Sequence, residues 1–173
     1  MYVVSFTAIE SVLIARAVLE DYIQMLNQLL TMRPDIFFLS SAFQFAFHAT
    51  LAGLTVVQTD IIYVALDFFR DTLTHDALEP GQEDSQPENY QLFANAIREA
   101  LRKDGAPLLL YCLSGLTGDF PEEAVGTIIS IFRILVWIFP QELLIWLPSV
   151  LEQLPVPRVP VTAKTQLLND VTT

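Results

Sequence analysis

Cysteine, histidine and basic residues are all scarce in this chain of 173 residues. Its single cysteine, Cys112, excludes an internal disulfide. The only histidines, His48 and His75, give no zinc-ligand spacing with one cysteine. Nine Lys and Arg against 20 Asp and Glu leave a formal net charge of -11. Direct binding to nucleic acid is therefore disfavoured, because phosphate backbones require clustered basic side chains. We expect no catalytic, cofactor-binding or metal-binding residues, and a protein that is not an enzyme.

Charged residues of either sign make up only 17% of the chain, while 53% of it is hydrophobic. This balance is typical of buried helices or of a membrane protein. Residues 36–59 carry no Asp, Glu, Lys or Arg, and that stretch is long enough to cross a bilayer. However, Gln44 and His48 interrupt it, and the other apolar stretches contain Arg133 or Glu142. Buried helices are the preferred interpretation, with no membrane partner, and a multi-span or membrane-associated helical protein is the alternative.

Apolar residues recur at helical spacing along most of the chain, and no segment alternates as a strand does. Pro34 and Pro140 occupy equivalent places, each following one helix and opening the next. Gly105 and Pro107 indicate either a new segment or a kink in one long helix. Helices are predicted over 17–32, 34–54, 59–75, 88–103 with a continuation to 116, 121–138 and 140–154, and from Thr162 onward. The pattern predicts an all-α fold of antiparallel helix pairs repeating every 40–50 residues or so, as in HEAT arrays.

Two segments are predicted to lie outside the helices. Residues 76–87 contain two prolines, a glycine and no basic residue, which is typical of a solvated acidic loop. Residues 155–160 contain three prolines and are expected to form an extended linker between repeats. Residues 1–17 differ from the repeated pattern of 18–173, although Ile9, Val12 and Leu13 have the spacing of a capping helix.

A few side chains in apolar surroundings have two interpretations. Trp137, Trp146 and Cys112 are expected in the core, where large aromatic and small apolar side chains usually lie. His48 is also expected to be a satisfied core residue rather than a ligand or base. Arg133 either extends its charge to solvent or contacts a partner.

Seven short segments, in order and at matching spacing, resemble the C-terminal part of receptors of the importin-β superfamily. The closest branch is the transportin-SR and importin-thirteen type. The segments are VQTD at 57–60, LDFFRDTL at 66–73, LLLYCLSGL at 108–116, DFP at 119–121, WLP at 146–148, LP at 154–155 and VTAK at 161–164.

The resemblance implies an α-solenoid of about three to four HEAT repeats, taken from the C-terminal end of a nuclear import receptor. Such receptors carry RNA-binding or Ser/Arg-rich proteins into the nucleus, so the expected partner is a basic protein cargo and the expected localisation is nucleus and cytoplasm. Contact with nuclear-pore components and with the GTPase Ran is expected only through the full-length receptor.

In such a receptor the second helix of each pair lines the face that meets cargo. The candidate protein-binding residues are therefore the solvated positions of the predicted second helices, although ordinary surface polarity explains each of them equally well. They are Gln44, His48, Asn95, Arg98, Glu99, Arg102, Glu142, Glu152 and Gln153.

Overall fold

A computed structural model describes residues 3–56, 58–79 and 88–172, excluding the side chains of 3–14, 119 and 172. Within these residues every regular element is helical, so the predicted all-α class is confirmed. The α-helices are α1 (Val3–Met32), α2 (Pro34–Leu39), α3 (Ala42–Gly53), α4 (Thr59–Leu73), α5 (Tyr90–Ser114), α6 (Val125–Ile138), α7 (Pro140–Gln153) and α8 (Val161–Thr172). None of the described helices is both long enough and apolar enough to cross a membrane.

Proline positions mark the start of several helices. Helix α1 ends ahead of Pro34, and Pro34 and Pro140 each open the following helix, where a missing N–H costs nothing. Because α1 runs without interruption from Val3, residues 3–17 continue the same helix as residues 18–32 and do not form a separate one.

The single helix predicted over 34–54 is wrong, because the chain breaks it at Ser40. The Ser40 backbone is extended, with φ -85° and ψ 145°, and its Oγ accepts a hydrogen bond from the Ala42 N–H at 3.0 Å. A serine hydroxyl can bond a nearby backbone N–H in this way, in place of a backbone hydrogen bond within a helix. The apolar spacing on either side of Ser40 gave no sign of the break, since both short helices bury phenylalanines.

Helix α5 passes through Gly105 and Pro107 without ending, so the second segment considered after Gly105 does not form. Pro107 lacks the N–H that would bond the Lys103 carbonyl. The helix ends in a π-type turn over Gly115–Asp119, where Gly118 has φ 130°, a conformation that disfavours residues with a Cβ.

The segment predicted as an acidic loop begins with structure of its own. Asp76–Leu78 forms a 3-10 turn, and Ala77 and Leu78 are buried. The His75 Nδ1 accepts the Ala77 N–H at 3.1 Å, and the ring packs edge-on against Phe38, Tyr90 and Phe93. Residues 80–87 of this segment lie outside the described part of the chain.

The helices pack in two rows. In the first row α1 contacts α4, and α4 contacts α6; in the second row α2 and α3 contact α5, and α5 contacts α7. Contacts of α1 with α2 and α3, of α3 with α4 and of α6 with α7 join the rows, while α8 packs on α7. The linker predicted over 155–160 is a turn and not an extended segment, because the Arg158 and Val159 N–H groups both donate to the Pro155 carbonyl at 3.0 Å.

The main hydrophobic core is rich in phenylalanine. Phe47 and Phe69 meet edge-on at 5.0 Å between ring centroids, and Phe37, Phe43 and Phe68 extend the same cluster. A second cluster joins α5, α7 and α8, and Trp146 contacts both clusters. The prediction for Trp137 is wrong: 76% of this residue is exposed.

Candidate functional site

The nine candidate binding residues all lie on three helices of the second row, α3, α5 and α7. Because α3 packs on α5 and α5 packs on α7, the fold places these helices side by side. The helices are therefore adjacent, but their candidate side chains differ in how freely they can reach a partner.

Gln44 and His48 lie one turn apart on α3, and both bond to α5. The Gln44 Nε2 donates to the Ala96 carbonyl at 3.0 Å, which uses one of its donors within the chain. The His48 Nδ1 lies 3.0 Å from the Asp104 Oδ1. The core position expected for His48 is wrong, since 65% of its side chain is exposed.

The four candidates on α5 form a mixed polar surface. Asn95, Glu99 and Arg102 are exposed and share a face at helical spacing, while Arg98 is half-buried. The Asn95 Oδ1 accepts a long hydrogen bond of 3.4 Å from Gln91 within the same helix. Glu99 and Arg102 therefore present charges of both signs to solvent.

The three candidates on α7 lie near opposite ends of that helix. Glu142 is half-buried in the first turn, where a carboxylate complements the helix dipole. Glu152 and Gln153 are exposed in the last turn, about 15 Å further along the axis at 1.5 Å per residue. Gln153 also donates to the Ser149 carbonyl at 3.1 Å. These residues do not form a single local site.

Asp104 is the functional candidate that the sequence prediction missed. It is 4% exposed and is the only charged residue buried among those described. Its Oδ1 bonds to His48, whereas its Oδ2 is buried and has no hydrogen-bond partner in the described residues. A signal existed, because Asp104 follows Ile97 by seven residues and Ala100 by four, which places a carboxylate on the apolar face of α5.

A cleft of about 400 Å³ opens between α3 and α5 beside this pair. His48 and Asp104 line it together with apolar residues, among them Ala52 and Pro107. The Asp104 Oδ1 and the His48 Nδ1 share one hydrogen bond, whose donor depends on the tautomer of the imidazole. The Thr55 hydroxyl in the cleft wall donates to the Ala52 carbonyl at 2.7 Å and is not held against the imidazole. The cleft thus combines a buried carboxyl group with walls that are mainly apolar.

A second cavity, of about 200 Å³, lies where α5, α6 and α8 meet, and its lining is apolar. Cys112 is part of this lining and is buried, as predicted. Burial raises the pKa of the Cys112 thiol to about 12, so it remains protonated and is a poor nucleophile. The thiol behaves here as a small apolar side chain.

No group of three or more His, Cys, Asp or Glu side chains in the described part of the chain is placed to hold a metal ion. No protein-family model matches the sequence, and no curated protein is significantly similar to it.

Proposed function

We propose that the chain is a protein-interaction segment of a nuclear import receptor of the importin-β superfamily, similar to the transportin-SR and importin-thirteen branch. In this proposal its helix pairs are HEAT-like repeats stacked as an α-solenoid. Its cargo is a basic protein, of the RNA-binding or Ser/Arg-rich kind, carried from the cytoplasm into the nucleus.

The observation that carries the proposal is the packing of the helices in two rows. First helices contact first helices, from α1 to α4 to α6, and second helices follow the same order through α3, α5 and α7. Among the described residues, the main contacts between helix pairs join neighbours in the chain, which is the contact pattern of a repeat array. Three of the seven segments of sequence resemblance fall on helices of these rows: 66–73 lies in α4, 108–116 covers the end of α5, and 146–148 lies in α7.

Charge supports a basic cargo. The chain as a whole has a formal net charge of -11, and the candidate residues on the second row include three carboxylates, Glu99, Glu142 and Glu152, beside the two arginines Arg98 and Arg102. A strongly negative net charge accelerates association with a basic partner and selects against acidic ones. Ran and the nuclear pore are contacted in this proposal only by the full-length receptor, so the chain alone binds GTP-loaded Ran weakly or not at all.

The proposal is tested by measuring whether the chain binds a Ser/Arg-rich domain from an RNA-binding protein. We expect saturable binding by fluorescence anisotropy that weakens as salt is raised, because exposed charges are screened. Reversing the three carboxylates together, by Glu99→Lys, Glu142→Lys and Glu152→Lys, is expected to weaken binding at least tenfold.

A matched control makes the same change of charge on the other row. Asp21→Lys, Asp60→Lys and Glu123→Lys alter exposed residues on or beside α1, α4 and α6. If both triple variants lose the same affinity, binding follows net charge and not the second row. If the unmodified chain binds no basic domain, the interaction role itself is refuted.

A further inference from the structure

The cavity where α5, α6 and α8 meet is lined by apolar side chains and opens to solvent on one side. Leu116 and Ile129, which are 39% and 50% exposed, mark the open side. The inner wall consists of residues of α5 and α6 that are at most 3% exposed: Leu109, Cys112, Ile128, Ile131 and Leu135. A small molecule that enters past Leu116 and Ile129 therefore reaches a wall that is otherwise closed to solvent.

Water is a poor occupant of this cavity. A buried water needs about two to four polar partners, and the lining side chains offer only the Cys112 thiol, which is a weak donor. The volume of about 200 Å³ is larger than that of an engineered apolar cavity of about 150 Å³ that stays dry and binds benzene. A molecule with a single ring is therefore of a size that fits.

Helix α8 forms one side of the cavity through Leu167. None of the described side chains of α8 is buried, and its main helix contact is with α7. A molecule in the cavity would touch Leu167 on one side and Ile128 and Phe132 of α6 on the other. The occupied cavity would thus join α8 to α6.

We propose that this cavity binds one small, uncharged apolar molecule, either a single aromatic ring or an aliphatic group of similar size. The driving force is the removal of the ligand's apolar surface from water, together with dispersion contacts that the empty lining lacks. A charged ligand is excluded from the inner wall, because no lining side chain can pair with the charge. This site goes beyond the proposed function and does not depend on it.

The test titrates the intact chain with toluene, benzylammonium and benzoate, three probes that share a ring and differ in charge. Isoleucine δ1-methyl groups labelled with 13C give signals from Ile128, Ile129 and Ile131 in the cavity, and from Ile61 and Ile62 of α4 outside it. We expect toluene to shift the three cavity signals saturably and to leave the two α4 signals unmoved. The charged probes should bind about tenfold more weakly or worse, because each would bury an unpaired charge.

Two substitutions of Cys112 change the volume of the cavity in opposite directions. Cys112→Met fills part of it and should weaken toluene binding at least tenfold while leaving Tm unchanged or higher. Cys112→Ala enlarges it and should preserve toluene binding while lowering Tm. A residue with only a structural role would not separate affinity from Tm in this way.

Leu167→Ala provides an independent variant if a change at the buried cysteine disturbs folding, because Leu167 is only half-buried. Toluene should slow hydrogen exchange of the α8 amides in the unmodified chain, and Leu167→Ala should abolish this slowing and weaken toluene binding several-fold. Leu168→Ala is the matched control, since Leu168 is also half-buried on α8 but is not part of the cavity lining.

Three results would each overturn the proposed site. The first is the absence of a saturable toluene shift at the cavity isoleucines. The second is equal affinity for toluene and either charged probe. The third is unchanged toluene binding by both Cys112→Met and Leu167→Ala.

Discussion

Helices α4 and α6 lie side by side in the same row, yet they bury very different shares of their apolar residues. Helix α4 buries Ile61, Ile62, Ala65, Leu66, Phe68, Phe69, Thr72 and Leu73. Helix α6 is the more apolar in sequence, but its buried residues are only Ile128, Ile131 and Leu135. Helix α4 has a row neighbour on each side, α1 and α6, whereas α6 packs in its row on α4 alone. Burial therefore follows the number of neighbours more closely than it follows apolar content.

The largest effect is expected in α4 itself. Phe69 is fully buried and contacts Phe47 and Phe68 edge-on at 5.0 Å and 5.5 Å. Phe69→Ala should lower the free energy of unfolding by about 3–5 kcal/mol, through lost burial and the cavity left behind. Urea unfolding followed by circular dichroism measures this. A loss below about 1 kcal/mol would mean that α4 is not the tightly packed centre of the chain.

An intermediate loss of stability is expected at the contact between α5 and α7. A Cβ added at Gly105 would lie 2.3 Å from the ring of Trp146. Gly105→Ala should therefore destabilise by about 1–3 kcal/mol, although alanine is the better helix former.

Gly126→Ala is the matched control, because a Cβ there meets nothing within 4 Å and the site is exposed. It should stabilise by about 0.4–1 kcal/mol by restricting the unfolded chain. Trp146→Leu in the Gly105→Ala background should restore part of the loss. If Trp146→Leu restores no stability in the Gly105→Ala background, the close contact of Gly105 with Trp146 is refuted.

A smaller, pH-dependent effect is expected at His75, which lies between the end of α4 and the start of α5. Burial lowers the pKa of His75 below its ordinary value of 6.5, although Asp76 opposes the shift. The unfolded chain then binds the proton more readily, so stability is lost as pH falls below about 6.5. A proton on Nδ1 would also break the hydrogen bond from the Ala77 N–H.

Tm measured from about pH 7 down to about pH 5.5 should therefore fall, and His75→Asn should flatten that fall. Asparagine is a suitable replacement because its oxygen can still accept from a backbone N–H. An equally steep fall in the variant would assign the acid sensitivity to other groups.

The smallest effect on stability is expected on the uncovered side of α6. Trp137 is 76% exposed, and Ile129 and Val136 of the same helix are also exposed. Trp137→Lys should change the free energy of unfolding by no more than about 0.5 kcal/mol. Because exposed apolar patches promote contact between molecules, we expect the unmodified chain to self-associate in sedimentation experiments and Trp137→Lys to reduce that self-association. If self-association is unchanged in the variant, its interface does not include Trp137.

The sequence pattern predicted the helical class and most helices, because apolar period and proline position act locally. The break at Ser40 escaped prediction because the short helices on each side are both apolar. The exposure of His48 and Trp137 could not be predicted, since periodicity identifies an apolar face but not the neighbour that covers it. Asp104 was predictable in principle from its place on the apolar face of α5, but its contact with His48 depends on how α3 packs.

The different surroundings of the two tryptophans have a spectroscopic consequence. Trp137 on α6 is exposed to solvent, whereas Trp146 on α7 faces α5 and packs against both hydrophobic clusters. Indole fluorescence shifts to longer wavelength in water, so the two residues emit from distinguishable environments. A chain retaining only Trp146 would report the separation of α5 from α7, and a chain retaining only Trp137 would report events at the molecular surface. The protein thus contains two intrinsic optical probes, one for its interior and one for its exterior.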